Sequence, residues 1–596
     1  MVVIPGRIRM ALPWIFLVML AALVFLPSLR SQYLNYDDPV HVSSDLFFRP
    51  WSIFTTPDTA NRTYIPLAIV SAYVENIFFA ANPHMTHWIN FFLHLCAAGL
   101  VYLLSCRLGV AKPAAYIAAF VFALHPMHIE SVAWATGRKD LLYTNFYLIA
   151  LLFYLEYLDN KKGKAYIFAL LCAILSIFSK AMALSLPLVL FLIDHVKGRK
   201  FSVASLVDKI PFFLVVEPVA LITFVLNSRH IAMAGAGSLK LWAWCGIFYI
   251  KTFFWPVHLS PLYAPPVMEK LRWGAHVLLP VSGGIAAWAV FKAPIRRWIG
   301  FALLFYFLST FFLWRFDIDD LNLVADRFMY LPSFGFCLLA GVVIEAWFQT
   351  AQSTYRKAIF WAGILLVAGL LVFKSYEQAG VWDNSFHFWS RILKERPNAS
   401  FALRGRIKAS LEVMPPFDYG ADADIKKLVD SRYWRLLEGR ADTGEVIRRK
   451  VFYLRQLVAL RDLKIFARDK ANTKDFHSLL AVVHENLGRN KDGSADREMN
   501  DYALAIALDR NDPELFYKRG MVAVRLGQHR SALRDALRAI KLDPQDPDYY
   551  DLAVFCAVAV HDYPLAMGLL NIEADLFPNK PSVNIDRAKM YRLMQP

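Results

Sequence analysis

Two adjacent carboxylates, Asp37 and Asp38, stand in the segment Asn35-Tyr36-Asp37-Asp38-Pro39, a few residues after an apolar run. Held near a membrane surface, such neighbours repel each other, which raises the affinity of the pair for a proton, a metal or a cationic group. That is what a general base or a divalent-metal site, with Mg or Mn as the candidate ions, requires. In a loop, Asp-Asp is more often a helix cap or a solvated turn. Its weight therefore rests on the polar groups found elsewhere.

The third apolar run breaks into His125-Pro126-Met127-His128-Ile129-Glu130, followed by Gly137-Arg138-Lys139-Asp140, before apolar sequence resumes. So many ionisable groups at a membrane boundary are costly unless they face water, one another or a ligand, and a cavity is predicted there. His125 and His128, spaced i, i+3 with Glu130 close, have a metal-site look, but Pro126 disrupts the helix that would align them. Another apolar run ends in Ser179-Lys180, and a later loop holds Asp317, Asp319 and Asp320, then Asp326-Arg327-Phe328-Met329-Tyr330-Leu331-Pro332. Arg138, Lys139, Lys180 and Arg327 are thus predicted to converge as phosphate ligands on the face that carries Asp37 and Asp38, supported by His125, His128, Glu130, Asp140, Asp326 and Tyr330. The plainer alternative pairs these cations with acidic neighbours or lipid head groups. Asn90 and His94, one helical turn apart, read as packing hydrogen-bonders.

The elements that must position these groups are helices in a membrane. The 596 residues are 57% hydrophobic and 19% charged, with mean hydropathy +0.37, too apolar for one soluble globule. Spans are predicted near 11–27, 88–105, 114–127, 141–158, 165–179, 182–194, 210–227, 276–291, 298–314, 328–347 and 358–374, about eleven in all. Residues 28–87 form a first external loop, and 228–275 an external loop with a re-entrant or interfacial segment at 240–256. Most of the net charge of +16 lies before residue 376, in short loops that alternate to one side, so the amino terminus is placed in the cytosol and the carboxyl-terminal third opposite. This placement argues against a nucleic-acid partner. Five cysteines lie inside apolar runs and Cys556 stands alone, which implies neither a disulfide framework nor a zinc finger.

Residues 376–596 read as soluble helix. Leu508, Leu542 and Leu576 recur every 34 residues, as do Pro513, Pro547 and Pro581, the period of the tetratricopeptide repeat. Gly520, Ala532 and Ala539 fall where two helices touch, and Pro544 where the second must stop. The array is clearest over 475–596, and the stretch 383–411 is a candidate for its start. Such a groove suits a protein or peptide.

These motifs resemble the GT-C superfamily of multispanning glycosyltransferases, and within it the transmembrane and tetratricopeptide-repeat-containing O-mannosyltransferase-like proteins, in particular a bacterial branch. The resemblance is carried by Asn35-Tyr36-Asp37-Asp38, by Ala123-Leu124-His125-Pro126-Met127-His128-Ile129-Glu130-Ser131-Val132-Ala133-Trp134 with Gly137-Arg138-Lys139-Asp140, by Ser179-Lys180 and by Ala325-Asp326-Arg327-Phe328-Met329-Tyr330-Leu331-Pro332. It implies an all-α fold, a GT-C membrane domain over 1–375 followed by an α-solenoid over 376–596. It further implies a sugar carried on a polyprenyl phosphate and transferred with inversion to protein Ser or Thr hydroxyls. Asp37 or Asp38 would take the acceptor proton or orient a metal, and Arg138, Lys139 and Arg327 would steady the departing phosphate. The expected partners are the lipid-linked sugar, an exported protein in the repeat groove and membrane lipids. The expected location is a bacterial inner membrane with periplasmic repeats, or the endoplasmic reticulum membrane in a eukaryote.

Rival readings are an oligosaccharide ligase or polymerase using a lipid diphosphate, and a non-catalytic anchored scaffold. The adjacent aspartates disfavour the first and the charged span ends the second. A transporter would carry ionisable groups at mid-membrane or symmetry between halves, which the sequence lacks.

Overall fold

The computed structural model describes residues 6–38, 53, 64–231, 238–264, 266, 293–313, 323–350, 353–397, 399–411, 498–499, 502–503, 506 and 510–577. Within them the chain is helical and contains no strand. It divides into two compact units, Met1–Arg396 and Pro397–Pro596.

In the first unit the helices are α1 (Gly6–Phe25), α2 (Pro66–Phe79), α3 (Pro83–Arg107), α4 (Lys112–Leu124), α5 (Ile129–Ala133), α6 (Arg138–Asn160), α7 (Gly163–Ser179), α8 (Leu186–Val196), α9 (Val203–Val207), α10 (Ile210–Ile231), α11 (Ser238–Phe254), α12 (Ala293–Thr310), α13 (Phe334–Thr350), α14 (Thr354–Val381) and α15 (Ser385–Glu395). Ten of the eleven predicted spans fall on these helices; the one at 276–291 lies outside the described residues. Five helical stretches are long and apolar enough to cross a bilayer by themselves, or six if the bent pair after Lys112 counts as one; others are shorter apolar helices of 10–17 residues. Their lipid-facing surface is plain on α14, where Leu365, Leu366, Val367, Leu370 and Phe373 are all exposed. A multi-pass membrane protein results.

Prolines set several starts. Pro66 and Pro83 occupy the first helical turn, where the missing amide hydrogen costs nothing, and Asn82 caps α3 by accepting from the His84 amide. The segment expected to be the first external loop thus contains a helix of its own, α2, and α3 starts earlier than the predicted 88. Past Leu124 the chain turns by 54° through a 3-10 turn at Pro126–His128, then α5, then a second 3-10 turn at Ala135–Gly137. Gly137 makes the fold-back possible: a Cβ there would lie 2.9 Å from the Ser131 carbonyl carbon, against backbone that has nowhere to move.

The apolar segment after 238 forms α11, which is covered by protein: Cys245, Tyr249 and Phe253 are buried, and Tyr306 Oη donates to the Gly246 carbonyl over 2.5 Å. Helix α15 departs from the expectation that 383–411 opens the repeat array. Its face of Phe386, Phe388, Trp389, Ile392 and Leu393 is buried within the first unit, because those apolar rings find cover against the loop after α1.

In the second unit, α16 (Ser400–Leu411), α17 (Pro513–Arg525), α18 (His529–Leu542), α19 (Pro547–Ala559) and α20 (Tyr563–Leu576) are described. The last four form two helical hairpins in the predicted phase. Asp512, Asp546 and Asp562 cap α17, α19 and α20, and Ala532, Ala536, Ala539 and Ala553 are fully buried at the crossings. A Cβ at Gly520 would come 3.0 Å from Leu552 Cδ2, so only glycine permits this approach without displacement. Arg519 grips Asp535 bidentately at 2.8 and 2.6 Å across the hairpin. The earlier repeat expected at 475–508, and Pro578 and Pro581, lie outside the described residues or nearly so.

Candidate active site

Asp38 follows the 3-10 turn Ser28–Arg30 and is fully buried. Its Oδ2 accepts from the Leu34 amide at 2.8 Å, while Oδ1 completes no hydrogen bond of good geometry. Burial pushes the carboxyl up to about 7; the Leu34 and Thr136 amides and Lys139 pull it partly back, and Asp37 raises it further. Asp37 is half-buried beside it. A carboxyl that is half ionised near neutrality can take a proton as well as release one.

Lys139, in the first turn of α6, lines the same cleft as Asp38. The cleft, whose empty volume including its mouth is about 470 Å³, is walled by Tyr33, Ile65, Ala68, Ala72 and Thr136. The Lys139 ammonium sits 4.7 Å from the centroid of the Trp134 ring and forms no ion pair among the described residues. It is the cation with charge to spare.

The other three predicted phosphate ligands are each paired. Arg138 is committed to a structural role: it forms a buried ion pair with Glu75 of α2, its Nε donates to Asn90 Oδ1 at 2.9 Å and its Nη2 to the Thr86 carbonyl at 3.1 Å. Arg138 and its partner Glu75 line the same cleft as Asp38 and Lys139, so the two adjacent cations differ in their partners and not in the cavity they reach. Arg327 pairs with Glu130, whose other oxygen accepts from the Arg327 amide at 2.9 Å, and its guanidinium lies 5.3 Å from the Trp134 centroid. Lys180 pairs with Asp140, whose Oδ2 is left buried without a partner. Trp134 therefore carries Lys139 and Arg327 on its ring, which gathers two of the cations.

The supporting residues act as struts. His125 Nδ1 accepts from the Met127 amide at 3.3 Å, so Nε2 carries the proton it donates to the Phe253 carbonyl at 2.9 Å. His128 Nδ1 stands 2.6 Å from the Phe122 carbonyl oxygen, which can only accept, and Nε2 stands 2.8 Å from Ser333 Oγ, whose hydroxyl also lies 3.0 Å from the Tyr330 carbonyl. With both nitrogens used in each ring, neither histidine is disposed as a metal ligand. Among the described residues no group of three or more His, Cys, Asp or Glu is arranged to hold a metal ion. Asp37 and Asp38 alone would supply such an ion with carboxylate oxygens.

Tyr330 Oη donates to His94 Nδ1 at 2.7 Å, and His94 Nε2 donates to the Ala123 carbonyl. Asn90 Nδ2 donates to the carbonyls of Trp134 and Ala135, both at 3.2 Å. These two α3 side chains hold the folded-back segment, the packing role their types and spacing suggest. Asp326 accepts from Tyr263 Oη at 2.7 Å; burial, then Glu130, holds its carboxyl well above the usual range. Asp317, Asp319 and Asp320 lie outside the described residues.

Sequence reasoning missed Glu75, Trp134 as a cation platform, and the α15 residues Ser385 and Trp389. A signal for Glu75 existed: it is the sole acid in the apolar stretch Pro66–Phe79. Tyr36 packs on Trp134, Phe388 and Trp389 with centroids 6.0, 5.3 and 5.7 Å away, contacts no local pattern announces.

Fold and site together define a multispanning helical membrane protein with tetratricopeptide-like repeats and a polar cleft at its span ends. Comparison with known proteins gives this class a lineage. The chain is 22% identical over 579 residues to protein O-mannosyl-transferase TMTC3 of Mus musculus, covering 85% of this chain and 60% of that protein. It is 24% identical over 374 residues to protein O-mannosyl-transferase F38B6.6 of Caenorhabditis elegans, 58% of this chain and 51% of the relative. Over 148 residues it is 32% identical to protein O-mannosyl-transferase TMTC1 of Mus musculus, 22% of this chain and 16% of the relative. The chain thus spans about 60% of the length of the first of these relatives. These matches bear out the resemblance to the transmembrane and tetratricopeptide-repeat O-mannosyltransferase-like proteins. No family model matches the chain. An oligosaccharyltransferase structure from Archaeoglobus fulgidus aligns at TM-score 0.39 and 13% identity, covering 68% of this chain and 61% of that one. A thermophilic TPR protein of Thermus thermophilus aligns at 0.24 and 14%, covering 38% and 96%. Neither score is high enough to carry an argument.

Proposed function

We propose that this protein is a membrane glycosyltransferase that moves a sugar, mannose by analogy with its named relatives, from a polyprenyl-phosphate donor to a Ser or Thr hydroxyl of a protein on the non-cytosolic face. In a bacterial cell that is the periplasmic side of the inner membrane. The observation that carries the reading is the pairing within one cleft of Asp38, a buried carboxyl whose Oδ1 makes no hydrogen bond of good geometry, and Lys139, an ammonium with no ion pair among the described residues.

In this mechanism the acceptor hydroxyl attacks the anomeric carbon from the side opposite the phosphate. Asp38 takes the hydroxyl proton as the new carbon–oxygen bond forms. The old bond breaks with its electron pair moving to the phosphate oxygen, and polyprenyl phosphate leaves with inversion at the sugar. Lys139 meets the developing charge directly. Arg327 and Lys180, each already paired, contribute the surrounding positive field, and Arg138 fixes the start of α6 that presents Lys139. Asp37 keeps a proton or cation near Asp38. A divalent ion bound by the two aspartates would polarise the hydroxyl, but no step above depends on one.

The test uses the purified full-length protein in lipid nanodiscs with polyprenyl-phosphate mannose and a Ser/Thr-rich peptide. Equal amounts of free polyprenyl phosphate and mannosylated peptide, both lost in Asp38→Asn, are expected. Wild-type protein that yields neither product from this donor, while accepting a diphosphate-linked sugar, would overturn the reading.

A further inference from the structure

Helix α15 lies between the last span and the second unit, and by sequence it belongs with the repeats. Its contacts point the other way. Ser385 Oγ accepts from the Asn35 amide at 2.9 Å, and Trp389 Nε1 donates to Asn35 Oδ1 at 2.6 Å. Both contacts cross roughly the whole first unit, 350 and 354 residues of chain. Tyr36 packs against both Phe388 and Trp389, which also touch each other. On the other side, Arg391 donates through Nε and Nη2 to the Leu259 carbonyl at 2.8 and 2.5 Å, and Arg396 donates to the Tyr263 carbonyl. Tyr263 in turn bonds Asp326, next to Arg327.

We infer that α15 is a clasp for the active site, in which Ser385 and Trp389 are positioning residues that hold the turn bearing Asp37 and Asp38, and Arg391 ties the same helix to the loop behind Asp326 and Arg327. One rigid helix of 11 residues thereby sets the place of the proton acceptor relative to the cations. Neither positioning residue need touch the substrate. A buried indole N–H and a hydroxyl are suited to this because each makes a directional bond, one to the Asn35 side chain and one to its backbone amide. The inference rests on the proposed transfer reaction for its catalytic meaning, but its physical content, an ordered 33–38 turn, is independent of it.

The experiment follows two readouts on the full-length protein in nanodiscs: amide hydrogen exchange of the peptide covering residues 33–38, and transfer kinetics with polyprenyl-phosphate mannose. The variants are Ser385→Ala with Trp389→Phe, which keeps the ring and removes the donor, and Ser385→Thr, which keeps the hydroxyl. The double variant should exchange faster at 33–38 and lose turnover on the order of 10- to 100-fold with KM for the donor little changed, whereas Ser385→Thr should resemble wild type on both counts. Unchanged exchange at 33–38 in the double variant overturns the clasp, whatever turnover does. Faster exchange with undiminished turnover removes the aspartate turn from the reaction and overturns the proposed mechanism instead. A general loss of protection across α3 and α6 would mean that α15 supports the whole fold, and would overturn its specific role at the turn.

Discussion

Asp38 and Lys139 share one cleft, and among the described residues neither is neutralised by an ion pair. The neighbouring cations Arg138, Arg327 and Lys180 are held by Glu75, Glu130 and Asp140. A buried carboxyl and a cation without an ion pair therefore share a cleft whose neighbouring cations are matched, and the proposed chemistry is tested on that arrangement.

Asp38→Asn should lower sugar transfer by about 10²–10⁴-fold, the usual worth of a general base, while leaving the protein folded. Asp37→Asn, at a half-buried position, should cost less. Thermal melting of Asp38→Asn at pH 8 should equal or exceed that of wild type, since a neutral amide relieves the burial of charge. Full activity in both variants would take the aspartates out of the mechanism.

The pH dependence has a definite sign. A base that must be ionised loses activity as pH falls through its own pKa, so kcat should drop on the acid side with a midpoint near 7, the value burial gives Asp38. Stability runs the opposite way: the folded pKa lies above that of the unfolded chain, near 4, so Asp38 favours folding below about pH 4 and loses that contribution as pH rises through 7. A kcat profile flat between pH 5 and 8 would contradict the assignment.

Lys139 and Arg138 are adjacent yet should fail differently. Lys139→Gln is expected to weaken binding of polyprenyl phosphate by about 2 kcal/mol, the scale of one hydrogen bond to a charged group, with the melting temperature little changed. Arg138→Ala should destabilise the protein by about 3–5 kcal/mol, because it strands Glu75 as an unpaired buried charge, and Glu75→Gln in the same chain should restore part of that. Ligand titration beside thermal unfolding separates the two.

Gly137→Ala should cost about 3 kcal/mol or prevent folding, as its methyl group meets the Ser131 backbone. Unchanged unfolding in detergent would show that the segment from Pro126 to Gly137 can relax.

Removal of the repeats should separate chemistry from acceptor choice. A chain ending at Arg396 is expected to release sugar from the donor to water or a short peptide while losing modification of an intact protein acceptor. One ending at Ser375 lacks α15 and should lose both. Equal modification of the intact acceptor by the Arg396 truncation and the full chain would assign the repeats another purpose.

Much of this was legible without coordinates. Apolar runs of span length, proline and glycine at helix ends, and the 34-residue period located the helices and the repeat hairpins, because each depends on local periodicity and on the cost of exposing backbone to lipid. The same cost marked the charged span ends as a candidate site. What only the tertiary structure decided is which charge stays unmatched. Arg138 and Lys139 look interchangeable in the chain and line the same cleft, but packing brings Glu75, 63 residues away, onto Arg138 and leaves Lys139 without a carboxylate partner among the described residues. Likewise an amphipathic helix such as α15 carries no record of which surface will cover it. Burial of Phe388 and Trp389 against Tyr36 settles that, and only the packed chain brings those rings together.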